Sequence, residues 1–124
     1  MIQRLIDALK DGLGDIPVQV TVPATLTPGT VVVAPGDPFL VPGNHGSITE
    51  RWDVLVVTSA AGPDRGVNWL RETSLLVRKA ASSVGAVWSQ ALGPSRATPN
   101  ENDMTVLVVN QISFRYDPNE LENP

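Results

Sequence analysis

Residues 30 to 59 have the sequence TVVVAPGDPFLVPGNHGSITERWDVLVVTS. The β-branched run at residues 30–34 predicts a short strand, and the alternation after residue 47 predicts a long strand, Ile48–Ser59. Between them, proline, glycine and asparagine residues typical of turns predict a loop over residues 35–46. Loops of this length in a small domain are usually functional or covered by a partner.

Apolar spacing predicts a helix on each side of this stretch. Ile2, Leu5, Ile6, Leu9 and Leu13 form one apolar stripe at i, i+3, i+4, i+7 and i+11. The second helix begins at Pro63, a residue favoured at a first helical position, and ends near Ser83, before Gly85. Its predicted inner stripe consists of Val67, Leu70, Ser74, Val77, Ala81 and Val84.

Three further strands are predicted, at residues 18–22, 86–92 and 104–116, with a polar loop over residues 93–103. The element order α-β-β-β-α-β-β predicts an α+β fold: a two-layer sandwich with a mostly antiparallel sheet of about five strands and two helices packed on one face. Residues 1–116 form a single domain in this interpretation, and residues 117–124 form a flexible acidic tail. The long strands at 48–59 and 104–116 are expected to offer edges that pair with a neighbouring subunit.

Composition narrows the function. The chain has 124 residues, a formal net charge of −4 and only nine scattered Lys and Arg residues, which argues against electrostatically driven nucleic-acid binding. The absence of cysteine excludes disulfides, thiol chemistry and thiolate metal sites, and favours a cytoplasmic protein. No apolar run reaches the roughly 18 residues that a membrane span requires.

No residue pattern predicts catalysis, a cofactor or a metal site. The one histidine, His45, could be imagined as a base for Ser47 with Asp37 or Asp53 as its orienter, but a solvated histidine on a glycine-rich turn is the preferred interpretation. The acidic clusters at 101–103 and 117–120 lack calcium-loop spacing. A non-enzymatic protein is therefore predicted, and a small ligand-binding or enzymatic module using residues 35–46 is the rival.

The tryptophans are also divided between two interpretations. Trp52 and Trp69 lie on or beside apolar stripes, which favours a place in the core for both. For Trp88 the core and a partner-facing position are equally favoured, because tryptophan is enriched at binding hot spots.

The chain resembles the tail-terminator and neck proteins of long-tailed bacteriophages. The resemblance spans nearly the whole chain and rests on element order and pattern, not on an invariant motif. It is carried by the first helix, the segment VVVAPGDPF at residues 31–39, the strand around WDVLVV at residues 52–57, the second helix, and the closing strand into FRYDP at residues 114–118.

This resemblance implies a structural virion protein, assembled in the host cytoplasm. A tail terminator forms a homohexameric ring that caps the tail tube and joins it to the head-side connector, and DNA passes through the lumen without specific binding. A head-completion or stopper protein of the neck fits almost as well. The residues expected at subunit or partner interfaces are Pro35, Asp37, Pro38, Phe39, Asn44, His45, Arg96, Glu101, Asp103 and Tyr116. Glu50 and Asp53 are the acidic residues expected to face the lumen.

Overall fold

A computed structural model describes residues 2–20, 28–59, 63–100 and 103–117. The elements are α1 (Ile2–Leu13), β1 (Val18–Gln19), β2 (Thr30–Pro42), a 3-10 turn (Asn44–Gly46), β3 (Ile48–Ser59), α2 (Pro63–Ser83), β4 (Val87–Asn100) and β5 (Asp103–Tyr116).

The predicted α+β fold and its element order are confirmed. The five strands form one sheet in the order β1-β2-β3-β5-β4. β1 runs parallel to β2, and every other neighbouring pair is antiparallel. β3 and β5 are paired along their whole common length, from Ile48 opposite Tyr116 to Ser59 opposite Thr105.

The core lies between the two helices and one face of the sheet. The apolar stripe of α1 buries four residues, Leu5, Ile6, Leu9 and Leu13, as its spacing predicts. α2 contributes Leu70, Val77 and Ala81, and the sheet contributes residues from its three central strands. Val67 is an exception to the predicted stripe: it is 50% exposed and lines a groove beside α2.

The prediction of a loop over residues 35–46 is wrong for most of that stretch. β2 continues to Pro42, passes through an irregularity after Pro35, and pairs again with β3 from Leu40 opposite Glu50. Proline is compatible with an edge position because its missing N–H faces away from the ladder. β1 pairs with β2 only at Val31 and Val32, so prolines further along β2 lie at an edge among the described strands.

The predicted loop over residues 93–103 is also largely strand. β4 extends to Asn100, and its pairing with β5 is interrupted between Leu92 and Ser95 and again after Ala97. β4 is the last strand of the sheet, so the same edge argument applies to Pro94. Within the first predicted strand, the structure assigns Val18–Gln19, and residues 21–22 lie outside the described part of the chain.

The strand order corrects the expected role of the two longest predicted strands. β3 and β5 are interior strands, flanked by β2 and β4, so most of their length pairs within the chain. The pairing of β4 with β5 begins at Val87 opposite Ser113, so residues 114–116 of β5 lack a β4 partner. The other edges that remain among the described strands belong to β4 and to the part of β2 beyond β1.

The predicted acidic tail, residues 117–124, begins at Asp117, which is exposed, and residues 118–124 lie outside the described part of the chain. Neither α1 nor α2 is long and apolar enough to cross a membrane, as judged on the described part of the chain.

Candidate functional site

The β2–β3 hairpin tip, residues 37–50, holds most of the residues predicted for an interface. Asp37 and Pro38 are exposed, as is Pro35 just before them. Phe39 is half-buried because its ring packs edge-on against Trp52, with a centroid distance of 5.3 Å and an interplanar angle of 87°. This contact ties the irregular part of β2 to β3 and leaves Leu40 with 53% of its side chain exposed.

The turn at the end of the hairpin does not assemble the imagined catalytic arrangement. Asn44 and His45 are exposed, and His45 has a positive φ of 60°. The Ser47 hydroxyl donates a hydrogen bond to the Asn44 carbonyl oxygen at 2.8 Å. The Gly43 N–H also bonds to the Ser47 carbonyl, so Ser47 closes the turn.

The two acidic residues expected in a lumen lie on opposite faces of the sheet. Glu50 is on the helix side, where the Tyr116 hydroxyl donates a hydrogen bond to Glu50 Oε2 at 2.7 Å. Asp53 alternates to the other face, in register with Ala34 on β2 and Gln111 on β5. One flat lumen surface therefore cannot present both carboxylates, although both come from β3.

Asp53 has a perturbed titration. Partial burial raises the pKa of its carboxyl above the ordinary value of 3.8, the Arg51 guanidinium opposes that shift, and the Asp37 carboxylate adds to it. The folded state therefore disfavours the ionised form of Asp53 relative to the unfolded chain.

Replacing Asp53 with asparagine is expected to raise the thermal midpoint more at pH 7 than at pH 4. Because the pKa of the folded state is raised, the native state binds the proton more tightly than the unfolded chain. Stability therefore falls as pH rises from the ordinary pKa through the raised one, and the loss persists at higher pH. Melting curves at both pH values test this, with the exposed Asp15→Asn as control. Equal shifts at the two pH values would contradict the assignment.

Tyr116 lies near the hairpin tip, opposite Ile48, whereas two other predicted interface residues lie at the far end of the sheet. Arg96 is in the distal half of β4, and Asp103 opens β5. Glu101 falls outside the described residues. The 12-residue β3 separates this end from the β2–β3 hairpin tip, a span of roughly 35 Å at the usual rise per strand residue. The predicted residues thus do not form one surface.

A groove between α2 and β4, the α2–β4 groove, was not predicted. Its volume is about 280 Å³, and its lining is formed by Val67, Leu70, Arg71, Ser74, Leu75, Trp88, Ala91, Gly93, Pro94 and Val108. Val67, Arg71 and Leu75 follow one another at i, i+4 and i+8 along one wall, with Leu75 52% exposed. The Arg78 guanidinium lies 5.4 Å from the centre of the Trp88 ring.

A buried polar network forms the base of this groove. Trp88 Nε1 donates to Asn110 Oδ1 at 2.8 Å. Asn110 Nδ2 donates to the Ser74 hydroxyl oxygen at 3.2 Å and to the Val54 carbonyl at 3.3 Å. Asn110 has no exposed surface, so one side chain joins α2, β3, β4 and β5.

The sheet face opposite the two helices, the helix-free face, also carries apolar side chains. Val32, Leu55, Val109 and Leu92 stand in one cross-strand row from β2 to β4. Exposure increases along the row, from a fully buried Val32 to Leu92 at 45%. The adjacent row is polar, with the Gln90 amide donating to Gln111 Oε1 at 2.8 Å.

The three tryptophans are partly buried and pack against the core cluster, which confirms the core interpretation for Trp52 and Trp69. Trp88 has both of the roles that the sequence left open. It packs on the core cluster and also lines the α2–β4 groove.

The described side chains form no group of three or more residues suited to hold a metal ion. No known protein-family model matches the sequence, and no curated protein matches it at a significant level. The resemblance to phage neck proteins therefore stays a prediction from element order and residue pattern.

Proposed function

We propose that this protein is a structural subunit of a phage tail, a tail terminator that closes into a ring, caps the tail tube and joins it to the head-side connector. One observation carries the proposal. Large apolar side chains are exposed near the two opposite edges of a single small sheet. Leu40 stands on the β2 side, and Val87, Leu92 and the wall of the α2–β4 groove stand on the β4 side.

Apolar surface that is exposed and contiguous marks contacts with proteins, ligands or membranes. An exposed leucine near one edge and an apolar groove near the other suit a head-to-tail contact, in which one surface of a copy meets the other surface of the next copy. Such contacts form rings when the rotation closes. The element order and the resemblance to terminator and neck proteins support a ring at the end of a phage tail.

The test is a polymerisation assay with the tail-tube protein of the same genome. Tube protein alone is expected to form tubes of unrestricted length, and addition of this chain should give shorter tubes with extra density at one end in electron micrographs. Val20→Glu alters an exposed apolar residue outside the hairpin tip and the α2–β4 groove. It is the control for an unrelated surface substitution and should cap as the wild type does. An unchanged length distribution with the wild-type chain would overturn the terminator role. Binding to the head-side connector without capping would assign a stopper instead.

A further inference from the structure

We infer that the β2–β3 hairpin tip of one copy docks into the α2–β4 groove of the next copy. This inference rests on the proposed function, because it specifies the contact between ring subunits. The inserted residue is the exposed Leu40, and it contacts the apolar groove wall formed by Val67 and Leu75.

The strand order keeps the β2–β3 hairpin tip and the α2–β4 groove apart within one chain. The hairpin belongs to β2 and β3, whereas the groove lies beside β4 at the other edge of the sheet, with β5 between them. A hairpin tip at one edge and a groove at the other can meet only between copies. Such a contact is heterologous, since different patches meet, and repetition of it produces a ring or a filament.

The edges themselves are poorly suited to form a continuous sheet between copies. The free part of β2 contains Pro35, Pro38 and Pro42, and β4 contains Pro94, none of which has an N–H to donate. The pairing of β4 is also interrupted at three places. Prolines and irregular pairing are devices by which edge strands avoid edge-to-edge pairing. Side-chain insertion is therefore favoured over strand addition.

The shape and chemistry of the groove suit a side chain. Its volume of about 280 Å³ is sufficient for one apolar side chain. Apolar side chains form most of its lining, and Trp88 supplies an aromatic wall of the kind found at interface hot spots. Leu40 is apolar, like most of this lining. More than half of it is exposed in the single copy, so it is available for insertion.

The charges of the two surfaces are complementary. The hairpin tip carries Glu50, which pairs with Leu40 and lies on the same, helix-side face of the sheet. Asp37 lies near Asp53 on the other face. The groove wall carries Arg71 between Val67 and Leu75, and Arg78 lies over the Trp88 ring. Arg51 of the hairpin alternates to the opposite face of β3. Attraction between Glu50, beside Leu40, and the arginines at the groove favours one orientation of the inserted hairpin.

The absence of cysteine makes cross-linking a direct test. Leu40→Cys and Leu75→Cys are prepared separately in the full-length chain, mixed in equal amounts, and oxidised alone and with the tail-tube protein. Disulfides require the two Cβ atoms to approach within about 4.5 Å, so they report the contact itself. The mixture is expected to give several-fold more cross-linked heterodimer than a mixture of Leu40→Cys with Val20→Cys, whose residue is also exposed.

The double variant, Leu40→Cys with Leu75→Cys, is expected to give a ladder of multimers that ends at one closed species. A yield equal to the Val20→Cys control in every condition overturns the inference. Homodimers of either single variant in excess of the heterodimer also overturn it, because they indicate a symmetric contact. If the tubes are capped but no cross-link forms, the terminator role stands and this contact is wrong. If the cross-link forms but the tubes are not capped, the contact stands and the terminator role is wrong.

Discussion

Replacing Asn110 with aspartate is expected to lower the free energy of unfolding by about 3–5 kcal/mol at pH 7. The substitution keeps the size of the side chain and the oxygen that accepts from Trp88 Nε1. It replaces the Nδ2 donor, which serves Ser74 and the Val54 carbonyl, with a second acceptor. At that position an ionised carboxylate has no exposed surface, and the described hydrogen-bond partners, Trp88, Ser74 and Val54, carry no positive charge.

The effect is expected to depend on pH with a definite sign. Burial raises the folded-state pKa of the introduced carboxyl, so its destabilising effect is complete above that pKa and declines as pH falls through it. The protonated form again has a donor for Ser74 or the Val54 carbonyl. Urea denaturation at pH 7 and pH 4, with the wild type measured at each pH, gives the difference directly.

Ser74→Ala is the matched control for this network. It removes one of the three partners of Asn110 while the Val54 carbonyl still accepts from Nδ2, so a loss of about 1 kcal/mol is expected. A loss from Asn110→Asp as small as that of Ser74→Ala would contradict the buried network. A large loss that is the same at both pH values would show that charge is not its cause.

The elements that the sequence predicts well are those whose pattern depends on near neighbours. The apolar stripe of α1 is set by helical spacing alone, and all four of its central and C-terminal apolar residues are buried. Ile48–Ser59 is predicted to the residue, because it alternates and is bounded by a turn on one side and by the start of α2 on the other. Gly85 ends α2 with a positive φ of 77°, as its position predicts.

The proline-rich stretches were wrongly predicted as loops for a tertiary reason. Proline opposes a strand only where the ladder requires its N–H, and edge positions do not. Whether residues 35–42 and 93–100 lie at an edge depends on the strand order β1-β2-β3-β5-β4. Packing between segments that are distant in the sequence sets that order. The local composition of residues 35–42 and 93–100 therefore does not indicate it.

The α2–β4 groove was missed for a similar reason, although one signal for its base was present. Ser74 on the predicted inner stripe and Asn110 on the inner face of the last strand are polar residues at core positions. Buried polar groups require partners, so the two together indicated a contact between α2 and β5. The walls gave no such signal, because Leu75 and Val67 become neighbours of Gly93 and Pro94 only when β4 packs beside α2.

The conformation of Gly93, which lines that groove, predicts the second large effect on stability. Gly93 has a φ of +111°, a region that L-residues rarely enter. A Cβ atom there would stand 2.9 Å from the Leu107 carbonyl oxygen and 3.0 Å from the Ser95 nitrogen. Both atoms belong to the backbone, so no side chain can rotate away.

Gly93→Ala is therefore expected to lower the free energy of unfolding by about 3 kcal/mol, from backbone strain together with the displaced pairing of β4 with β5. Gly85→Ala is the matched control: φ is also positive, at +77°, but no atom beyond its neighbours lies within 4 Å of the added Cβ. That variant should lose only about 1 kcal/mol, the cost of a left-handed conformation alone. Urea denaturation of the two variants beside the wild type measures both. Equal losses would mean that β4 moves freely away from Leu107, and the groove wall at Gly93 would then not be the fixed surface that docking of a neighbouring hairpin requires.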